Sequence, residues 1–286
     1  MLDYDLEAAT YDETRGGAER ARAAADAVLE LLADGVGVLD GAAVLESERA
    51  AVLVDVACGT GIVSELLKAP ERVVIGVDMS AGMLARARPR LDLPVRGDAT
   101  RLPLTSGSVD AVTFMWLLHL IDARMVAAAI GEAARVLRPG GMVITTVDKN
   151  AANYETDSDT GALLRAARTE LAPVASDDFA RVRAVAGEAG LELAGTSGYV
   201  GHNQGKTPAT WARLAREEFT WARAADPDRI ARLCRGLEAL PDQDVRRPDP
   251  VYKVAGFRRV PALTTSPSPP EKPAAKPPPS HSRSAH

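Results

Sequence analysis

Apolar positions fall in short unbroken runs through the first half of the chain, and segments of helical spacing separate them. AVLVDVA (51–57), RVVIGVD (72–78), VDAVTFMWLL (109–118) and GMVITTVD (141–148) lack the polar alternation of a half-exposed strand, and LPVRGDA (93–99) is a shorter strand between them. After the first run, IVSELLK (62–68) places apolar residues at helical spacing. After the second, Ser80 caps a helix over AGMLARAR that ends before Pro89. ARMVAAAIGEAARVL (123–137) is an amphipathic helix that Pro139-Gly140-Gly141 stops. Strands without alternation, separated by helices, predict an α/β fold: a doubly wound, mostly parallel sheet covered on both faces.

The second half continues the plan with interruptions. DDFARVRAVAGEAGL (177–191) predicts a helix that starts near Ser176 or Asp177. LELAGTSGYVGH (191–202) and VYKVAGFRRV (251–260) predict two further strands, for seven in all. Between them, TPATWARLAREEFTWARAADPDRIARLCRGLEALPD reads as two helices joined at Ala225-Asp226-Pro227, set into what is otherwise a hairpin. Residues 149–176 form another insertion, polar and then helical. From 261 to 286 Pro and Ser dominate, and no large apolar residue follows Leu263. Such a segment buries too little surface to offset its ordering entropy and reads as a disordered tail, with a Pro-rich partner ligand as the competing reading. Residues 1–260 are therefore expected to form one domain.

Charge narrows the partners. The 286 residues carry a net charge of −5, and the tail contributes +2 of opposite sign through Lys272, Lys276, Arg283 and Glu271. A general nucleic-acid binder needs a basic surface, so none is expected. No apolar run approaches the roughly 20 residues of a membrane span, and the acidic N-terminal stretch has no apolar signal core, so a cytoplasmic location is expected. Cys58 and Cys234 are too few for a disulfide framework or a cysteine metal site.

Candidate chemistry gathers at the strand ends, where open α/β sheets bind ligands. Gly59 and Gly61 follow the first strand in VDVACGTG, and glycine there lets the backbone turn sharply and approach a ligand. Asp78 ends the second strand, where a carboxylate accepts hydrogen bonds from both ribose hydroxyls; its competing role is to help start the next helix. GTGIVS is also half of a dinucleotide fingerprint, with Ser64 in the last glycine's place, so an NAD-dependent oxidoreductase stays open. Asp55 points elsewhere. A carboxylate two residues before the loop repels phosphate and suits a cationic, amino-bearing ligand. Asp98, in Gly97-Asp98-Ala99 after the third strand, suits a bond to an exocyclic amine or serves a turn.

Taken together, VDVACGTG, VIGVDMS, GDATRLPLTSGSVDAV and ARVLRPGGMVITT resemble the class I S-adenosylmethionine-dependent methyltransferases. The branch is methyltransferase type 11, to which the ubiquinone-biosynthesis C-methyltransferases are similar. The resemblance covers about residues 4 to 148 and the fold plan out to 260. It implies a Rossmann-like sheet, S-adenosyl-L-methionine as cofactor, a donor-binding core over about 45–148, and substrate-side insertions, one of them a helical lid, over about 149–176 and 206–245. It implies that Ala57, Cys58, Gly59 and Gly61 cradle the donor, that Asp55 lies near its amino-acid end, and that Asp78 holds its ribose. Met79 would lie against the adenine, Met83 would also contact the donor, Asp98 and the Ala99 amide would read the adenine edge, and Met115 and Trp116 would touch donor or substrate. Tyr11-Asp12-Glu13-Thr14-Arg15 resembles an element that closes over the donor in many relatives, with Arg15 on its carboxylate. One departure is Ala57, where the family usually has glycine; it matters if that backbone needs a positive φ.

Methyl transfer is a direct displacement, so orientation and water exclusion matter most, and a base is needed only for a protonated acceptor. His119, in WLLHLID, is the first candidate base and His202 the second, with packing or capping roles as competitors. Tyr199 is placed to reach the pocket. Cys58 has no histidine nearby in sequence and reads as a small packing residue rather than a nucleophile. Trp211, Phe219 and Trp221 either wall a small-molecule acceptor or pack the helical insertion. A third reading is a non-catalytic protein of this fold that serves as a partner subunit.

Overall fold

The computed structural model describes residues 4–36, 49–171, 174–217 and 227–260. Seven strands form its sheet: β1 (Ala51–Val56), β2 (Arg72–Asp78), β3 (Leu93–Arg96), β4 (Val109–Phe114), β5 (Leu137–Val147), β6 (Leu191–Val200) and β7 (Val251–Arg259). They lie in the order β3-β2-β1-β4-β5-β7-β6. β1 to β5 run parallel, and β7 is antiparallel to both of its neighbours. The order reverses between β1 and β4, and the crevice beyond their carboxyl ends is where such sheets take ligands.

Successive strand residues point to opposite faces, and both faces are covered. Leu53, Val74, Ala111, Met142 and Ile144 face one layer of the core, while Val54, Val77, Val112, Phe114 and Val143 face the other. The short helices α1 (Tyr4–Glu7) and α2 (Tyr11–Thr14) precede α3 (Gly17–Val36), whose Ala21, Ala24, Val28 and Leu31 pack on the first face. α4 (Ala81–Ala87) starts at Ser80, whose hydroxyl accepts from Met83 N at 3.0 Å as the capping pattern predicts. α5 (Ala123–Val136) covers the second face with Val126, Ala129, Ile130 and Ala133, and α7 (Phe179–Glu188) joins it after α6 (Asp159–Leu171). α6, α8 (Pro208–Glu217) and α9 (Pro227–Glu238) share a separate apolar cluster that contains Tyr154, Leu164, Trp211, Leu233 and Leu237. Among the described residues no helix is long and apolar enough to cross a membrane.

Several boundaries differ from the sequence reading for physical reasons. IVSELLK makes only a 3-10 turn at Ser64–Leu67, because Pro70 and the return into β2 leave no room for a longer helix. Pro139-Gly140-Gly141 does not stop α5, which already ends when Leu137 turns extended with ψ 142°. The three residues form a bulge inside β5 instead, where the pairing with β4 jumps from Val109–Leu137 to Ala111–Met142 and Gly140 takes φ +81°. The cap of α7 is Asp178, which accepts from Arg181 N at 3.0 Å, rather than Ser176 or Asp177. Asp177 is buried and accepts from Lys149 N at 2.8 Å. The tail from 261 and the predicted helix junction at Ala225-Asp226 lie outside the described residues.

Candidate functional site

The loop after β1 turns on three left-handed residues: Ala57 (φ 57°), Gly59 (φ 57°) and Gly61 (φ 75°). The departure at Ala57 therefore falls on a position that needs a positive φ, and the strain is borne by the smallest residue with a Cβ. Gly59 faces open space, since an added Cβ would meet only Met83 Sδ at 4.0 Å. Gly61 serves packing instead: a Cβ there would press on Ala87 and Leu91 at 3.3 Å. Cys58 N donates to Val77 O at 3.1 Å, which ties the loop to the end of β2.

Asp78 completes that tie. Its Oδ2 accepts from Gly59 N and its Oδ1 from Ser80 N, both at 2.8 Å. Burial raises its pKa, and these amide hydrogen bonds act against the rise. Each carboxylate oxygen keeps a further lone pair, and the residue lines a cavity of about 180 Å³. Around it the cavity is walled by the loop from Ala57 to Thr60, by Met79 and Met83, and by Ala99 and Trp116. Tyr4 and Tyr11 close it from the N-terminal side, their rings in an edge contact at 6.4 Å. Asp12 anchors these helices: Thr60 Oγ1 donates to its Oδ1 at 2.5 Å, and Arg90 pairs with its Oδ2 at 2.8 Å. Asp5 accepts from Gly82 N at 2.8 Å at the start of α4.

Asp55 is not on that wall. Its carboxylate is fully buried under the loop, where Ser64 Oγ donates to one oxygen at 2.5 Å and Thr113 Oγ1 to the other at 2.7 Å. Burial lifts its pKa to about 6, against the pull of these two hydroxyls. Cys58 lines the cavity, but burial and the nearby Asp55 and Asp78 push its thiol well up, so it is held as the unreactive thiol. It also packs tightly, since a Cβ at Gly76 would fall 2.9 Å from its Sγ.

The structure brings Tyr11, Ala57, Cys58, Gly59, Asp78, Met79, Met83, Ala99 and Trp116 together at the cavity and leaves other predicted residues off it. Asp98 is exposed and accepts from Thr100 N and Oγ1 at 2.8 Å, which is the turn role. Met115 is buried in the core behind Trp116. Arg15 pairs with Glu7 at 3.3 Å, its guanidinium 5.8 Å from the Tyr11 ring centre. Tyr199 is buried, its hydroxyl pushed up to about 12 by burial while it accepts from Trp116 Nε1 at 2.7 Å. Trp211 packs against Tyr154 in the helical cluster, at a ring distance of 6.0 Å, and not on this cavity. Trp221 and Phe219 lie outside the described residues.

His119 sits in the 3-10 turn Leu118–Leu120, half-buried, and its Nδ1 has no hydrogen-bond partner. Burial first, then Lys149, Arg20 and Arg15, hold its pKa well below the usual histidine range. Of those neighbours, Lys149 and Arg20 were not singled out from the sequence. Arg20 is 3% exposed and lays its guanidinium 4.1 Å from the Trp116 ring centre. Lys149 follows β5 and Arg20 lies near the start of α3, so charges from distant parts of the chain act on the turn after β4. Tyr4 was missed too; its only signal is its place seven residues before Tyr11 in one acidic stretch.

A glycine-cornered loop after β1, an acid at the end of β2 and an antiparallel seventh strand define a class I methyltransferase domain. The comparisons agree: residues 54–145 match the methyltransferase domain family, type 11. The chain is similar to a demethylmenaquinone methyltransferase of Mycobacterium sp. (strain KMS), 42% identical over 94 residues, which is 32% of this chain and 39% of the relative. The same name belongs to a Renibacterium salmoninarum relative, 38% identical over 117 residues, 40% of this chain and 44% of the relative. The chain thus spans about two fifths of the length of the curated relatives it matches. Among solved structures, a candidate methyltransferase of Bacillus halodurans aligns with TM-score 0.50 at 18% identity, over 77% of this chain and 96% of the other. A chain of the complex between the Haloferax volcanii Trm112 methyltransferase activator and a candidate methyltransferase aligns with TM-score 0.50 at 17% identity, over 91% and 99%. These two likenesses speak to the fold alone.

Proposed function

We propose that the protein transfers a methyl group from S-adenosylmethionine to a small-molecule acceptor. The observation that carries this is Asp78: two carboxylate oxygens, each fixed by a backbone amide, facing a cavity beside a glycine loop. That is the acceptor geometry for two vicinal ribose hydroxyls. The loop leaves room for a ligand at Gly59, where a side chain would project into the cavity. Met79 and Met83 offer soft apolar surface for a purine, and the Ala99 segment borders it. Tyr11, Tyr4 and Trp116 exclude water at the other end.

The bound donor supplies an electrophilic sulfonium methyl. The chain's own residues bind, orient and desolvate; Asp78 holds the ribose and so fixes where the methyl points. His119 and Lys149 flank the acceptor side, and His119, held neutral, is able to accept a proton from an acidic acceptor. Asp55 acts through the loop rather than on the ligand, because Ser64 and Thr113 occupy its oxygens. Residues 1–260 form one methyltransferase domain in this reading, with the donor-binding core over about 45–148. The insertions at about 149–176 and 206–245 serve the acceptor. The named relatives act on a demethylated menaquinone, but the family match ends at residue 145, before these insertions. The acceptor is therefore read from this chain's own residues.

Incubation with methyl-deuterated donor and mixtures of small-molecule acceptors, read by mass spectrometry, tests the proposal. A product heavier by one labelled methyl is expected from the wild type. Asp78→Ala should weaken donor affinity by more than about tenfold, near 1.4 kcal/mol. Unchanged affinity in that variant contradicts the ribose assignment.

A further inference from the structure

Trp116 follows β4 and walls the donor cavity, and two other elements fix its ring. At the edge, its Nε1 donates to the Tyr199 hydroxyl of β6 at 2.7 Å, and the Tyr199 ring leans on Tyr252 of β7 at 5.4 Å. On the face lies the Arg20 guanidinium of α3, 4.1 Å from the Trp116 ring centre and 5.4 Å from that of Tyr252. An indole turns about two side-chain torsions, and an edge bond with a face contact restrains both.

The same guanidinium reaches α1 and α2, which cover the cavity with Tyr4 and Tyr11. Its Nη1 donates to the Arg15 carbonyl at 2.6 Å, and Arg15 is the residue that ends α2. Between α2 and α3 the chain turns on two left-handed glycines, Gly16 with φ +94° and Gly17 with φ +59°. Glycine takes that backbone without strain, which makes this turn the hinge between the cover and the core. Packing at the hinge is close: a Cβ on Gly16 would fall 2.6 Å from the His202 carbonyl oxygen and 2.8 Å from Arg20 Cδ. A plain packing role does not explain the guanidinium. Arg20 is 3% exposed, and its Nε is buried with no hydrogen-bond partner. That burial costs free energy which an apolar side chain of similar length would not lose.

We propose that Arg20 is a positioning residue of the donor site: its guanidinium holds Trp116 in place as a wall of the cavity and, through the Arg15 carbonyl, latches the Gly16-Gly17 hinge of the N-terminal cover. This rests on the methyltransferase reading and adds a residue that acts through Trp116 and Arg15 rather than on the ligand. A planar fork suits the double task, since its face stacks on the indole while its in-plane N–H bonds the carbonyl. Wall and cover then answer to one side chain, and the donor's residence time depends on it.

The test compares Arg20→Met, Arg20→Lys and Tyr199→Phe in the full chain. Nitrogen NMR of labelled indoles gives one resonance for each of the three tryptophans, and the one lost in Trp116→Phe belongs to Trp116. In Arg20→Met this Nε1–H should exchange with solvent about tenfold faster than in wild type, with the other two indoles unchanged. S-adenosylhomocysteine should leave Arg20→Met about fivefold faster in stopped-flow displacement, while the urea midpoint stays at or above that of wild type. A filler would show neither change, because methionine packs the same space. Arg20→Lys keeps a cation over the ring and should retain more of both properties than Arg20→Met. Tyr199→Phe removes the edge bond alone and should speed the same indole exchange. Wild-type exchange or wild-type dissociation in Arg20→Met, or a lysine variant more impaired than the methionine one, overturns the proposal. The indole exchange is read without ligand, so it decides the Arg20 contact separately; a wild type that binds no S-adenosylhomocysteine removes the methyltransferase reading instead. Should Arg20→Met fail to fold, Arg20→Lys and Tyr199→Phe carry the same measurements against wild type.

Discussion

Ala57 leaves β1 with φ 57°, a conformation that costs a residue with a Cβ about 1 kcal/mol relative to glycine. Ala57→Gly removes that strain but loosens the unfolded chain by a similar amount, so urea denaturation should place it within about 1 kcal/mol of wild type with donor affinity intact. Ala57→Val should lose about 1–3 kcal/mol, since a β-branched residue fits that backbone poorly. If Ala57→Val is as stable as wild type, the loop is not held as described. Asp55 makes a second prediction. Burial lifts its folded-state pKa to about 6, above its unfolded value near 4, so the folded chain binds this proton more tightly. The contribution is fully present below the unfolded value and is lost as pH rises through about 6, an effect on the order of 3 kcal/mol. Asp55→Asn keeps an acceptor for Ser64 and cannot ionise. It should lose less stability than wild type between about pH 4 and pH 7 in paired urea titrations. The same pH dependence in both proteins would contradict the burial argument. From the sequence, Asp55 read as a donor contact because strand position shows how near a residue is to the loop, not which hydroxyls already hold its oxygens.

At the scale of elements, the N-terminal helices are a cover pinned by few bonds. Thr60 and Arg90 hold Asp12, and Gly82 and Ser80 hold Asp5, so α1 and α2 lie over the cavity with Tyr4 and Tyr11 inside. Asp12→Ala should raise the dissociation rate of S-adenosylhomocysteine about three- to tenfold, measured by stopped-flow fluorescence of Trp116, because hot contacts act mainly through dissociation. An unaltered rate would mean that the cover does not depend on this anchor. The strands and the glycine loop were legible because buried parallel strands and tight turns leave local signatures. α3 was legible in principle: Ala21, Ala24, Ala25, Val28 and Leu31 form an apolar stripe through GAERARAAADAVLELLADGV, muted by the small alanines. The bulge at Pro139-Gly140-Gly141 was not, since the same letters end a helix or kink a strand, and only pairing with β4 decides between them.

Over the whole molecule, the cavity and the buried cations differ in how their residues are spread along the chain. The loop after β1, Asp78, Met79, Met83, Ala99 and Trp116 lie within the stretch that matches the methyltransferase domain family, while Tyr4 and Tyr11 precede it, and the signals inside that stretch are contiguous motifs at strand ends. Arg20, His119 and Lys149, which act on one another electrostatically, come from α3, the turn after β4 and the loop after β5. No local pattern marks residues that come together only through the sheet's topology, so the surroundings of His119 were invisible in sequence while the glycine loop and Asp78 were not. The candidate aromatics of the helical insertion show the same limit: Trp211 turned inward to build the cluster of α6, α8 and α9. The central claim is that the cavity at Asp78 binds S-adenosylmethionine and not a nicotinamide dinucleotide. Isothermal titration of the full chain with S-adenosylhomocysteine, and separately with NADH, measures this directly. The account predicts a saturable one-to-one isotherm for S-adenosylhomocysteine and no binding of NADH; saturable NADH binding, or no heat from S-adenosylhomocysteine, would contradict it.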